Sequence, residues 1–219
     1  MHYQFLIEDM SSTALIELIM KKFVETNPTV TYDCKPFKGI GGFTPKNTAK
    51  ETKSGKLLND LATYLRGFNK SLQYIPAVIV VVVDNDTRNT DAFYNDLNNV
   101  AVQNNISVDY VFCIAVEEVE AWLLGDERAI IQAYPSAKTQ VIHSYHQDSI
   151  CGTWEVLACA VYPGGLLRFE KDCPTYIEKG KLKFEWATKI GSYMDLENNL
   201  SPSFNRFINE IKQRLPMTT

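Results

Sequence analysis

Three acidic side chains have the spacing of a divalent-cation site. Asp84 and Asp86 stand two residues apart directly after an apolar run, and Glu8 follows a shorter apolar run near the start of the chain. If the chain stays extended, Asp84 and Asp86 point to the same side, because the side chains of a strand alternate with a period of two. Carboxylates gathered in this way repel one another unless a cation neutralises them. Oxygen ligands without a nearby His or Cys favour Mg²⁺ or Mn²⁺ over Zn²⁺.

The elements that must position these acids are two strands of a parallel sheet. Residues 77–83 are seven apolar residues, six of them β-branched, which is typical of a central strand that is covered on both faces. Residues 3–7 predict a second strand. Because open parallel sheets bind ligands beyond the carboxyl ends of their strands, we expect Glu8, Asp84 and Asp86 to meet at one edge of the sheet.

The apolar periodicity predicts an alternation of strands and helices up to residue 134. Further strands are predicted at 29–32 and 107–115, and helices at 55–69, 90–104, 117–124 and 127–133, besides one capped by Ser11 or Ser12. This order predicts an α/β domain over residues 1–134. Residues 135–219 are interpreted as a helical C-terminal extension packed on it, with helices at 153–161, 184–194 and 203–215, the last capped by Ser201 ahead of Pro202.

The bulk composition limits the class of protein. A formal net charge of -4 over 219 residues argues against a broad basic surface of the kind that coats DNA, so local patches would have to hold any nucleic acid. The apolar runs are too short to span a membrane, and the first residues lack the basic segment of a secretion signal. Five cysteines without CxxC spacing predict reduced thiols. We therefore expect a cytoplasmic protein.

The segment from residue 35 to residue 56 is rich in lysine and glycine. It carries six lysines against one acid, but it lacks the spacing of a Walker A motif. One interpretation is that Lys46, Lys50 and Lys53 hold the phosphates of a substrate. The other is an ordinary solvated loop, and both interpretations stay open from the residues alone.

The order of these motifs resembles the TOPRIM domain, which is shared by topoisomerases, primases and nucleases of the overcoming-lysogenization-defect type. The resemblance rests on a strand that ends in Glu8, a helix after it, and a later apolar strand that ends in Asp84-x-Asp86. A narrower similarity is to an uncharacterised TOPRIM-like family that is often encoded beside ATPases. It rests on the segments 114–117, 120–126 and 201–204, which read IAVE, EAWLLGD and SPSF. The glycine that usually follows the first acid is Asp9 here.

The resemblance implies a Rossmann-like parallel sheet and a Mg²⁺-dependent nuclease that hydrolyses phosphodiester bonds of DNA or RNA. It assigns acid/base or metal chemistry to Glu8 and metal binding to Asp84 and Asp86. Glu120 and Asp126 are its candidates for further catalytic and metal-binding acids, and Glu117 and Glu120 are close enough in sequence to share a helix face. The resemblance also implies a partner ATPase and a role in defence against phage.

Two other functions fit the same residues. A DxD motif after an apolar strand also occurs in nucleotide-sugar glycosyltransferases, where it holds Mn²⁺ and a diphosphate, although Glu8 on the first strand disfavours this reading. The other alternative is a non-catalytic interaction module that keeps the fold. Binding of Mg²⁺ and of a nucleotide diphosphate distinguishes the three.

Overall fold

The computed structural model describes residues 1–43 and 55–216. Its strands form one all-parallel sheet in the order β2-β1-β3-β4, and they are β1 (His2–Ile7), β2 (Thr31–Pro36), β3 (Ala77–Asp84) and β4 (Asp109–Ala115). Helices flank the sheet on both faces. The predicted α/β class with a parallel sheet is therefore confirmed.

Three helices connect successive strands, and they are α1 (Met10–Thr26), α2 (Leu57–Leu72) and α3 (Thr90–Gln103). The helices after the last strand are α4 (Glu120–Leu124), α5 (Glu127–Ala133), α6 (Thr139–Ser144), α7 (Thr153–Val161), α8 (Gly165–Asp172), α9 (Tyr176–Tyr193) and α10 (Pro202–Lys212). In residues 1–43 and 55–216, none of these helices has both the length and the apolar character that crossing a membrane requires. All five cysteines lie in these ranges and are free thiols.

Strand β3 is buried along its whole length, as the sequence predicts. Its alternate side chains enter two different cores. Val78, Val80 and Val82 join the core that contains residues of α1, α9 and α10. The intervening side chains, among them Val81, join the core formed with α2 and α3. The β-branched run is thus explained by burial on both faces of the sheet.

The helices after residue 134 complete the first of these cores. Helix α9 packs along α1, and α10 packs against β4. Tyr3 on β1 donates a hydrogen bond to the carbonyl oxygen of Ile211 at 2.9 Å, and the Trp122 indole donates to Ser203 Oγ at 2.9 Å. One apolar core therefore joins residues from both sides of the predicted boundary at residue 135.

Several predicted helix ends differ from the structure. Asp9, and not Ser11 or Ser12, caps α1, because its Oδ1 accepts the Ser12 N–H at 2.8 Å. Asp is as good a cap as Ser, and Asp9 stands two residues after the end of β1. Helix α4 begins at Glu120, and α9 begins at Tyr176, well before the predicted start at residue 184. The short helices α6 and α8 were not predicted, whereas the Ser201 cap ahead of Pro202 is confirmed.

Candidate active site

Glu8 and Asp84 lie side by side at the carboxyl edge of the sheet. Strands β1 and β3 are neighbours in parallel register, with Ile7 opposite Val82. The backbone N–H of Asp84 donates a hydrogen bond to Glu8 Oε2 at 3.2 Å. The chain leaves β1 toward β2 on one side and leaves β3 toward β4 on the other. The two acids therefore stand at the topological switch point, where open α/β sheets bind their ligands.

Both carboxyl groups are hard to ionise in this position. Burial is the main cause that raises the pKa of Glu8 to about 7; the charges of Asp9 and Asp86 act in the same direction, and the hydrogen bond from Asp84 opposes them. Burial, followed by the charges of Glu8, Asp9 and Glu120, raises the pKa of Asp84 well above its ordinary value. The edge of the sheet thus concentrates negative charge that its surroundings only partly compensate.

Asp86 does not point alongside Asp84 as the sequence predicts. Strand β3 ends at Asp84, and Asp86 has a φ of +48°, which belongs to a turn rather than to a strand. The side chain of Asn85 holds this turn by donating to the Arg88 carbonyl oxygen and the Thr90 hydroxyl. The Asp86 carboxylate forms an ion pair with Arg88 at 2.6 Å. The assumption of an extended chain was therefore wrong here.

A second group of charges lies next to Asp84. Lys183 on α9 places its Nζ 3.3 Å from Glu118 Oε1 and 3.3 Å from Glu120 Oε2. Glu120 is only 1% exposed, and its Oε1 accepts no hydrogen bond from the residues that the structure describes. Burial raises the pKa of Glu120, and burial together with Glu120 raises the pKa of Glu118 to about 7. Glu120, predicted as catalytic, is thus close enough to Asp84 to raise its pKa.

Lys183 keeps its charge in this setting. Burial opposes the protonated amine, but the carboxylates of Glu120 and Glu118 outweigh it and hold the pKa of Lys183 above its ordinary value. Asp84 contributes in the same direction. Lys183 is therefore a permanent cation that offsets part of the negative charge at the edge of the sheet.

The sequence contains a signal for Lys183 that its interpretation missed. Lys183 precedes Trp186 by three residues and Ile190 by seven, so it lies on the apolar stripe of α9. Both of those residues are buried. A lysine on a buried helix stripe requires acidic partners, and Glu118 and Glu120 provide them. Starting the predicted helix at residue 184 excluded this residue.

Glu117 does not share a helix face with Glu120 as predicted. It precedes α4 with a φ of +60°, and its carboxylate accepts the backbone N–H groups of Cys151, Gly152 and Thr153 as well as the Thr153 hydroxyl. Burial alone would raise the pKa of Glu117, but these hydrogen bonds hold it below its ordinary value. The distinctive segment 151–153 thus anchors a carboxylate at the start of α7.

Asp126, predicted as a metal ligand, is engaged elsewhere. Its Oδ1 accepts the Ala129 N–H at 2.9 Å and caps α5, and its Oδ2 accepts the Asp195 N–H at 2.8 Å. Because both oxygens bind backbone donors, Asp126 has a structural role and we leave it out of the candidate site. The predicted phosphate-binding residues Lys46, Lys50 and Lys53 lie outside the residues that the structure describes.

The residues at this edge match the ligand chemistry of Mg²⁺. Across residues 1–43 and 55–216, no three Asp, Glu, His or Cys side chains are positioned together to hold a metal ion. Mg²⁺ commonly uses one or two carboxylates and completes its shell with water and substrate phosphate oxygens. Glu8 and Asp84 supply such a pair, and their raised pKa values indicate that a nearby cation would stabilise their ionised forms.

Because of the acids at this edge, we expect the free energy of unfolding of the metal-free protein to fall as the pH rises from about 4.5 to about 7. In this window the unfolded chain ionises Glu8 and Glu118, while the folded protein retains their protons up to a pKa of about 7. Each such group contributes a slope of up to about 1.4 kcal/mol per pH unit. Urea unfolding across this range, in the presence of a chelator, measures the slope. Glu8→Gln should show a shallower fall than the wild type, and equal slopes would contradict the assignment.

Comparison of the chain with protein-family models, with curated proteins and with solved structures found no match.

Proposed function

We propose that the protein is a Mg²⁺-dependent phosphodiesterase that hydrolyses DNA or RNA at the edge formed by Glu8 and Asp84. The observation that carries this proposal is the pair of acids at the switch point of the sheet, joined by the 3.2 Å hydrogen bond from Asp84 N–H to Glu8. The motif order that resembles the TOPRIM domain favours the same reaction. Mn²⁺ fits the same oxygen ligands.

In this proposal the acidic side chains and Lys183 have different roles. Glu8 and Asp84 would hold the ion as carboxylates, because a bound cation favours their ionised forms. Lys183 would keep Glu120 in place beside Asp84. When bound, Mg²⁺ would supply an activated water and offset the charge that develops on the leaving oxygen.

The other functional residues and partners predicted from the sequence remain predictions. Asp86 pairs with Arg88 through Oδ2, and its charge raises the pKa of Glu8, so metal binding by Asp86 stays a prediction. Phosphate binding by Lys46, Lys50 and Lys53 stays a prediction. The partner ATPase, the role in phage defence and the cytoplasmic location stay predictions as well.

Ion binding and cleavage test the proposal together. Titration calorimetry with Mg²⁺ and Mn²⁺ should show binding to the wild type, and an ion at a hundredfold excess over its Kd should raise the free energy of unfolding by about 2.7 kcal/mol. Labelled DNA or RNA should be cleaved with Mg²⁺ and not with a chelator. Absence of cleavage with Mg²⁺ would contradict the proposal, whether or not the ion binds. If the protein binds a nucleoside diphosphate or a nucleotide sugar in the presence of Mn²⁺ and cleaves no nucleic acid, the glycosyltransferase alternative would replace the nuclease proposal.

A further inference from the structure

A groove of about 550 Å³ borders the candidate site. Its walls are the first turn of α1, the residues that follow β2, and the beginning of α9. Asp9, which directly follows Glu8, lines the groove. This volume lies within the range of about 300–1,000 Å³ that is usual for small-molecule sites.

Backbone hydrogen bonds fix the groove to the acidic edge. The N–H of Phe37 donates to the Ile7 carbonyl oxygen at 2.8 Å, and the N–H of Gly39 donates to the Glu8 carbonyl oxygen at 2.9 Å. Gly39 has a φ of +93°, a conformation that side-chain-bearing residues rarely adopt, so the chain turns sharply back toward Glu8 at this point. This wall of the groove is thus held in a fixed position relative to Glu8.

Large apolar side chains line the groove but are exposed to solvent. Tyr176 is 89% exposed, Ile177 is 71% exposed and Phe184 is 42% exposed, all on α9. Met10, on the opposite wall, is also exposed. Single exposed apolar residues are common, but a cluster of them that lines a concave surface indicates a binding site.

Cations accompany these apolar side chains. Lys38 and Lys181 line the same groove, one on each wall. An amine beside an exposed aromatic ring matches a nucleotide, because the base can stack on the ring while the phosphate meets the lysine. Because Asp9 lines the groove and directly follows Glu8, a strand in the groove would bring a phosphate toward the ion that Glu8 and Asp84 would hold.

We propose that this groove binds a strand of unpaired nucleotides and that the substrate is single-stranded. This inference rests on the proposed function and specifies its substrate class. Stacking on Tyr176 and Phe184 requires the face of a base, and the bases of a duplex already cover one another's faces. The groove would therefore discriminate against paired nucleic acid and would position the strand next to Glu8 and Asp84.

Binding in a chelator tests the groove separately from cleavage. Fluorescence anisotropy should show that labelled oligothymidylate binds more tightly alone than when annealed to its complement. Tyr176→Ala should weaken binding of the single strand by about 5- to 150-fold, the loss expected for one stacked base. Tyr74→Ala is the matched control, because Tyr74 is 87% exposed and precedes β3. It therefore lies at the amino-terminal end of the strands, away from the groove. The control should bind as the wild type does.

A second pair of variants tests the phosphate contact. Lys181→Gln should reduce the dependence of log affinity on log salt concentration by about 0.7, the slope of one phosphate contact to a single strand. Lys70→Gln is the control, because Lys70 is exposed near the end of α2. Equal slopes for the two variants would remove Lys181 from the groove's binding surface and contradict the proposed contact.

The outcomes separate the groove from the proposed reaction. If Tyr176→Ala weakens binding and the wild type cleaves nothing with Mg²⁺, the groove stands and the nuclease proposal fails. If Asp84 is required for cleavage but Tyr176→Ala and Tyr74→Ala bind alike, the groove proposal fails. Equal affinity for duplex, or a change in oligomeric state in Tyr176→Ala without a change in binding, would also overturn it.

Discussion

Asp84→Asn should abolish cleavage and at the same time stabilise the metal-free protein. Asn keeps the shape of Asp but cannot carry the charge that an ion requires, so activity should fall by about 10²-fold or more. Burial and the charge of Glu8 make ionised Asp84 unfavourable, so a neutral amide should raise the free energy of unfolding at neutral pH. A lower cleavage rate together with a higher free energy of unfolding would show that the variant has lost a metal ligand and that its fold is intact.

The control for this prediction is a carboxylate outside the site. Asp96 is exposed on α3. Asp96→Asn should retain its activity, and its free energy of unfolding should stay within about 0.5 kcal/mol of the wild type.

Glu8→Gln should lose cleavage activity by about 10²-fold or more, as Asp84→Asn does. Cleavage rates with Mg²⁺ and urea unfolding with a chelator provide the measurements. Full activity in both Asp84→Asn and Glu8→Gln would refute the site.

Lys183→Met should be strongly destabilising at neutral pH. The substitution leaves the carboxylates of Glu118 and Glu120 without their cation in a buried place, and breaking a buried pair in this way costs about 3–5 kcal/mol. Acid should restore part of the loss, because protonated carboxyls need no cation. Adding Glu120→Gln should restore part of it at neutral pH. Urea unfolding at two pH values measures both effects.

Lys189→Met is the matched control on the same helix. Lys189 pairs with Glu185 at 2.6 Å, but its side chain is 53% exposed. Exposed pairs of this kind contribute about 0.2–1 kcal/mol, so the control should lose little. A loss in Lys183→Met no larger than that in Lys189→Met would show that the buried cluster does not depend on its cation.

Local sequence patterns were sufficient to predict the sheet and the position of its acids. The run of β-branched residues in β3 is buried on both faces, and Glu8 and Asp84 meet because parallel strands end at one edge. The same reasoning failed at Asp86, because it assumed that the strand continued through the motif. A turn intervenes, in which Asn85 bonds to Arg88 and Thr90 beyond the motif and accepts the N–H of Glu117 from another segment, and a period-two pattern does not reveal these contacts.

The contacts that local patterns missed join distant parts of the chain. Lys183 meets Glu118 across 65 residues, and Glu117 meets Gly152 across 35. Neither pair follows from periodicity or spacing, because each depends on how α7 and α9 pack after the sheet has formed. The buried stripe of α9 could have flagged Lys183 as unusual, but it could not have named its partners.

The position of Lys183 and Tyr176 on α9 has a consequence for synthesis of the protein. Residues 1–134 supply Glu8, Asp84 and Glu120, but the ammonium group that offsets their charge belongs to a helix made much later. A chain that ended before α9 would carry these acids together with a sheet face that is only partly covered, since α9 and α10 complete that core. Under the proposed function, nuclease activity would appear only after α9 has been made, because truncation at residue 134 removes Lys183 and the helices that complete this core.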